Sequence, residues 1–166
     1  ELLKIDNSLI LLKGARKFEI EKLKNILELQ KHDTVMEVNL HAILNNINVH
    51  RTLLKPETKI MAMVKAYSYG LGGYEIAEFL QHHHIDYLGV AYADEGAELR
   101  KKGITTPIIV MNPEQHSYNA VIDYNLEPEI YSFRVLELFY KTLQEKGADR
   151  NYPVHIKLET GMQRLG

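Results

Sequence analysis

Lys65 stands in the run Met63-Val64-Lys65-Ala66-Tyr67-Ser68-Tyr69-Gly70, where residue type and position could together do chemistry. It directly follows Ile60-Met61-Ala62-Met63-Val64, an apolar run without alternation that reads as a parallel strand buried on both faces. Lys65 therefore falls at the carboxyl edge of a strand, where ligands and catalytic groups gather in α/β sheets and barrels. A lysine partly desolvated at such an edge is a good nucleophile toward a carbonyl. Gly70, Gly72 and Gly73 follow, ahead of a helical pattern starting near Tyr74. Glycines at a strand-to-helix junction let backbone N–H groups approach a phosphate, and the helix N-terminus favours the anion. The same residues also fit a lysine that ends a strand and reaches water, followed by a loop that only turns the chain.

From Asp33 onward, short apolar runs alternate with helical patterns, as in successive βα units. The candidate strands are 34–39, 59–65, 86–91, 107–111, 128–131 and 153–159. A first helix begins near Asn39, an N-capping residue, with Ile43, Leu44, Ile47 and Leu54 on one stripe. A second runs from about Tyr74, with Ile76, Ala77 and Leu80 inward. A third, Ala93 to Lys102, is acidic at its start, basic at its end, and stops at Gly103. A fourth, Phe133 to Lys146, closes on Gly147. This α/β order fits either an open doubly wound sheet or most of a (β/α)₈ barrel, and period alone does not choose between them. A complete barrel needs about 250 residues, so a barrel here is partial. Residues 1–32 hold a strand (Leu9 to Leu12), a turn (Lys13 to Arg16) and an amphipathic helix (Phe18 to Leu29). One strand and one helix cannot bury a core, so they read as the last βα piece of a preceding domain, with residues 33–166 forming the next.

The chain has 166 residues, 45% hydrophobic, with a net charge of -2, a composition for an ordinary globular core and no electrostatic footprint for nucleic acid. It has no cysteine, which excludes disulfides and thiolate metal sites and fits a reducing compartment. No apolar run approaches the roughly 20 residues that span a bilayer, so no membrane partner is expected. The start on Glu1 and the end at Gly166, just after a motif, read as the limits of a piece of something longer. His82-His83-His84 read as helix-end residues suited to the dipole rather than metal ligands, and no metal is expected. Met61 and Met63 read as packing, and Tyr118, Tyr124, Tyr131 and Tyr140 as core or rim.

The stretch Lys65-Ala66-Tyr67-Ser68-Tyr69-Gly70-Leu71-Gly72 resembles the pyridoxal 5'-phosphate attachment motif of alanine racemases, Lys-Ala-x-Ala/Ser-Tyr-Gly-His-Gly. The stretch His155-Ile156-Lys157-Leu158-Glu159-Thr160-Gly161-Met162-Gln163-Arg164-Leu165-Gly166 resembles that family's Lys-x-Asp-Thr-Gly-Met-x-Arg-Leu-Gly. The two stand in family order at about family spacing, and the resemblance runs from Asp33 to Gly166. It implies the N-terminal (β/α)₈ barrel of the fold-type III pyridoxal phosphate enzymes, with about six of its eight βα units. Lys65 would carry the cofactor as a Schiff base and act as base on one face of the substrate Cα. Tyr69 matches the tyrosine that binds the cofactor phosphate. Arg164 matches the arginine that contacts the cofactor's phenolic oxygen and holds the substrate carboxylate. Lys157 matches the lysine carbamylated in many members. Read without the family, Lys157 and Arg164 also fit solvated residues flanking a Thr160-Gly161 turn. Three positions depart from the pattern: Leu71 for histidine, Glu159 for aspartate, and Tyr67 where a small polar residue is common.

The resemblance implies a cytoplasmic homodimer that interconverts L- and D-alanine for peptidoglycan. Its opposite-face tyrosine belongs to the C-terminal β domain of the neighbouring subunit, so this stretch alone is expected to be inactive. A broad-specificity racemase, a decarboxylase of the same fold type, and a non-catalytic cofactor-binding barrel stay open. Leu11-Leu12-Lys13-Gly14-Ala15-Arg16, with the helix after it, is similar to the end of Mur ligases. Residues 1–32 would then be the remnant of a ligase fused to a racemase.

Overall fold

Asn39 closes an irregular stretch and starts the first helix, its Oδ1 accepting the Ala42 N–H at 3.0 Å. The protein, described as a computed structural model, is defined over residues 35–148 and 151–166. The strand and helix expected within 1–32 lie outside the described residues. Helix α1 (Leu40–Leu53) packs Ile43 and Ile47 against the core, while Leu54, expected on the same stripe, lies beyond its end and is exposed. Then follow β1 (Met61–Met63), a short turn (Lys65–Tyr69), α2 (Gly73–His82), β2 (Tyr87–Val90), α3 (Ala93–Lys101) and β3 (Ile108–Val110). A 3-10 turn (Gln115–Ser117), α4 (Tyr118–Asp123), β4 (Glu127–Ile130), α5 (Phe133–Lys146) and β5 (His155–Ile156) complete the order. The residues from Val38 to Gly166 make up one unit.

Two expectations need correction. Six strands were expected, and five form among the described residues. Residues 35–39 are irregular, with Val35 and Met36 exposed, because an apolar run becomes a strand only where a ladder partner takes its N–H and C=O groups. The last candidate, 153–159, pairs over two residues only, continued by the Lys157 N–H donating to the Ile130 carbonyl at 2.9 Å. Helix α4, which no pattern announced, is a single short segment burying Tyr118 and Val121.

All four strand pairs are parallel and the sheet order is β1-β2-β3-β4-β5, each helical connection leading to the adjacent strand. Side chains in register share a face, so Leu88, Val90, Ile108, Val110, Pro128 and Ile130 point one way. They are all buried beneath the helices, each such aliphatic side chain contributing about 1.5–3 kcal/mol. The opposite face carries Met63, Tyr87, Gly89, Ile109, Glu127, Glu129 and His155. Neighbouring strands lie about 4.8 Å apart, so in a flat sheet β2 and β5 would be separated by roughly 14 Å. Yet the rings of Tyr87 on β2 and His155 on β5 meet edge to face, with centroids 5.8 Å apart. The sheet therefore curls with its polar face inward, as in a (β/α) barrel and not in an open doubly wound sheet. Ile156, on the outer face of β5, is 76% exposed.

The helix ends are closed by identifiable groups. Arg51 of α1 donates to the His83 and His84 carbonyls at the end of α2, both at 3.0 Å. Arg100 of α3 donates to the carbonyls of Tyr124, Ile104, Thr106 and Asn125, and burial lowers its pKa. It ties the loops before β3 and β4 to one helix. Gly147 ends α5 in the left-handed region at φ 63°. No helix among the described residues is long and apolar enough to cross a membrane.

Candidate active site at the carboxyl ends of the strands

Lys65 is half-buried just past β1, where Val64 is held in the sheet by its N–H donating to the Gly89 carbonyl at 2.8 Å. The next four residues take an unusual course. Ala66, Tyr67, Ser68 and Tyr69 all have positive φ, between 49° and 59°, making a left-handed turn. For L-residues other than glycine this costs roughly 1–2 kcal/mol each, and it persists only where surrounding structure enforces it. The turn is bonded within itself: Ser68 N–H donates to the Val64 carbonyl, and Gly70 and Gly72 N–H groups to the Tyr67 carbonyl. Ser68 is buried, and its hydroxyl has no hydrogen-bond partner. The glycine loop was expected to offer its N–H groups to an anion; those of Gly70 and Gly72 are used internally, and the cavity beside Gly73 and Tyr74 is walled by Asp94, Glu95 and Glu98.

A different cavity, of about 230 Å³, brings three of the expected residues together. Lys65 after β1, Lys157 after β5 and Arg164 beyond it line this space, with Tyr92, Met111 and Asn112 from the ends of β2 and β3. Residues 92 positions apart meet there because the sheet curls. Lys157 Nζ donates to Glu129 Oε2 on β4 at 2.8 Å, and both side chains are largely buried. One step deeper on the same face, His155 and Glu127 pair at 2.6 Å. Tyr69 stands apart from this cavity. Its side chain is mostly exposed, with its ring centroid 5.8 Å from Lys65 Nζ.

Arg164 is delivered by the turn that starts at Glu159. The Glu159 carboxylate accepts the Gly161 N–H at 2.5 Å and the Arg164 N–H at 3.2 Å. Backbone N–H groups of Gln163 and Gly161 hold its pKa below the usual carboxylate value. The extra methylene of glutamate is thus accommodated in a closed turn.

Two carboxylates were not singled out from sequence. Glu129 was hidden inside a strand candidate, although the alternation Glu127-Pro128-Glu129-Ile130 marks one polar face. Glu95 was visible only as part of an acidic helix start. His82, His83 and His84 lie at the end of α2, where the His83 ring packs on Phe79 at 4.4 Å. The residues present fit an anionic aldehyde cofactor: a primary amine for attachment and two further cations border one small cavity.

Residues 38–166 match the family described as alanine racemase, N-terminal domain. An alanine racemase of Thermodesulfovibrio yellowstonii is 44% identical over 108 residues, covering 65% of this chain and 29% of that protein. One of Nostoc is 39% identical over 120 residues, covering 70% of this chain and 31% of the relative. This chain thus spans under a third of the length of these relatives. Among solved structures, the alanine racemase of Clostridium difficile superposes with a TM-score of 0.70 at 34% identity, over 77% of this chain and 33% of that one. The alanine racemase of Bartonella henselae, solved with covalently bound pyridoxal phosphate, superposes at 0.68 with 28% identity, over 78% of this chain and 37% of that one. Cavity, curled parallel sheet and matched residues agree: the chain belongs to the alanine racemase N-terminal domain family.

Proposed function

We propose that the protein carrying this chain interconverts L- and D-alanine with pyridoxal phosphate, and that Lys65 is the attachment lysine. The observation that carries this reading is the convergence of Lys65, Lys157 and Arg164 on one cavity at the strand ends. The cofactor, when bound, supplies an electron sink that eases loss of the substrate Cα proton. Lys65 holds or takes that proton at its Nζ on one face. Arg164 binds the substrate carboxylate and orients Cα toward Lys65, its guanidinium suiting the planar anion. Tyr69 is assigned to the cofactor phosphate on its match to the family motif, and its exposed ring lies beside Lys65. Lys157 is the amine open to carbamylation; a carbamate there would stand beside the Glu129 carboxylate, so the amine has to leave Glu129 first. The opposite-face proton group is a tyrosine of a neighbouring copy, making the working enzyme a homodimer. The same resemblance supports a cytoplasmic role in supplying D-alanine for peptidoglycan. Residues 1–32 are assigned to the end of a Mur ligase on a separate resemblance, that of Leu11-Leu12-Lys13-Gly14-Ala15-Arg16.

The test is D-alanine formation from L-alanine by the full-length protein, alongside other L-amino acids and Lys65→Ala. Alanine turnover that falls by at least about 10³-fold in Lys65→Ala is expected, since one group would serve as both attachment point and base. Equal turnover of bulky amino acids, or an active Lys65→Ala, would sink the assignment. The 166-residue chain alone is expected to give no D-alanine above background.

A further inference from the structure

We propose that Glu95 is a positioning residue for Lys65: its carboxylate clamps the left-handed turn after the lysine to the end of β2. This rests on the reading of Lys65 as the attachment lysine. Glu95 is half-buried in the first turn of α3, and both of its oxygens are in use. Oε2 accepts the Ala91 N–H at 2.7 Å and the Tyr92 N–H at 3.2 Å, which satisfies orphan donors at the helix start. Capping needs no more than this oxygen. The other, Oε1, reaches across to the Ala66 N–H at 2.7 Å, on a residue 29 positions earlier.

Lys65 is thereby held from both sides by the same βα unit. Ahead of it, Val64 N–H is bonded to Gly89 of β2; behind it, Ala66 N–H is bonded to Glu95 of α3. The remaining backbone bonds of the turn run within it or back to Val64, so they fix its shape and not its place relative to β2. The turn consists of four consecutive residues in a conformation that L-residues resist, so an outside clamp is what such a segment requires. Tyr92, whose N–H shares the carboxylate, lines the cavity with Lys65. Glutamine at 95 has one accepting oxygen and would turn its NH₂ group toward a backbone N–H, so it cannot serve all three donors.

The test compares Glu95→Ala and Glu95→Gln with Arg100→Ala, which removes the four carbonyl contacts at the other end of α3. Peptide-resolved hydrogen exchange over 64–72 is measured without cofactor, and binding of added pyridoxal phosphate is followed by the absorbance of its lysine adduct. Both Glu95 variants are expected to speed exchange of this segment by about tenfold or more, the scale of one lost charge-assisted hydrogen bond. They are expected to weaken adduct formation by a similar factor, while Arg100→Ala lowers the melting temperature and changes neither readout. Unchanged exchange at 64–72 in the Glu95 variants overturns the clamp. Faster exchange with undiminished adduct formation overturns the positioning role. Absence of any adduct in the unsubstituted protein overturns the attachment reading instead, and the exchange data then decide the clamp alone.

Discussion

Glu159 shows how one exposed side chain can set the place of a cation that lines the cavity. Its carboxylate collects backbone N–H groups of the turn that carries Arg164, and those bonds exist for the anion. The folded-state pKa lies below the ordinary 4.5, so the contribution to the turn is fully present above that value. It is lost as pH falls through the depressed value. The Gly161 and Arg164 amide signals are expected to keep their folded positions to below pH 4.5 and then shift together, and Glu159→Gln to abolish that step. Amides that titrate at the ordinary carboxylate value would show that the turn is held some other way. At this scale the sequence was informative about residues whose role is local. Lys65, Lys157 and Arg164 stand in recognisable runs. Glu95 and Glu129 act on Ala66 and Lys157, 29 and 28 residues away, and such partners are set by register and curvature rather than by neighbours in the chain.

The elements were legible where a pattern was long and its stop signal explicit. α5 ends on Gly147 as its sequence indicates, and Ser132 Oγ caps its start by accepting the Val135 N–H at 3.3 Å. Most strand lengths, though not that of β4, were overestimated, because hydrophobicity marks burial while a strand also requires a ladder partner. At 153–159 the alternation of apolar and polar residues outlasts the pairing. The fit of α3 depends on a glycine with an ordinary helical backbone. A Cβ at Gly96 would lie 2.9 and 3.0 Å from the methyl groups of fully buried Leu126. Overpacking of this kind costs about 1–3 kcal/mol, against about 1 kcal/mol gained from alanine's helix propensity. Gly96→Ala is therefore expected to lower the urea midpoint by a net loss of about 1 kcal/mol, with unchanged m-value. A stabilised Gly96→Ala would mean that α3 sits farther from β4 than described.

For the whole molecule, the sequence left open a choice between an open sheet and a barrel, because both alternate strands and helices with the same period. Curvature decides it, through the Tyr87–His155 contact across the concave face and a cavity bordered by both β1 and β5 ends. The same curvature turns motifs 92 residues apart into one site and gives the lysine, the arginine and the second lysine a common space. Lys65 alone among these cations is proposed to carry the cofactor. The most direct measurement is borohydride reduction of the protein mixed with pyridoxal phosphate, followed by mass mapping of the labelled peptides. The label is predicted on Lys65, lost in Lys65→Ala and retained in Lys157→Ala. A label on Lys157 or Lys59, or one that survives Lys65→Ala undiminished, would contradict it.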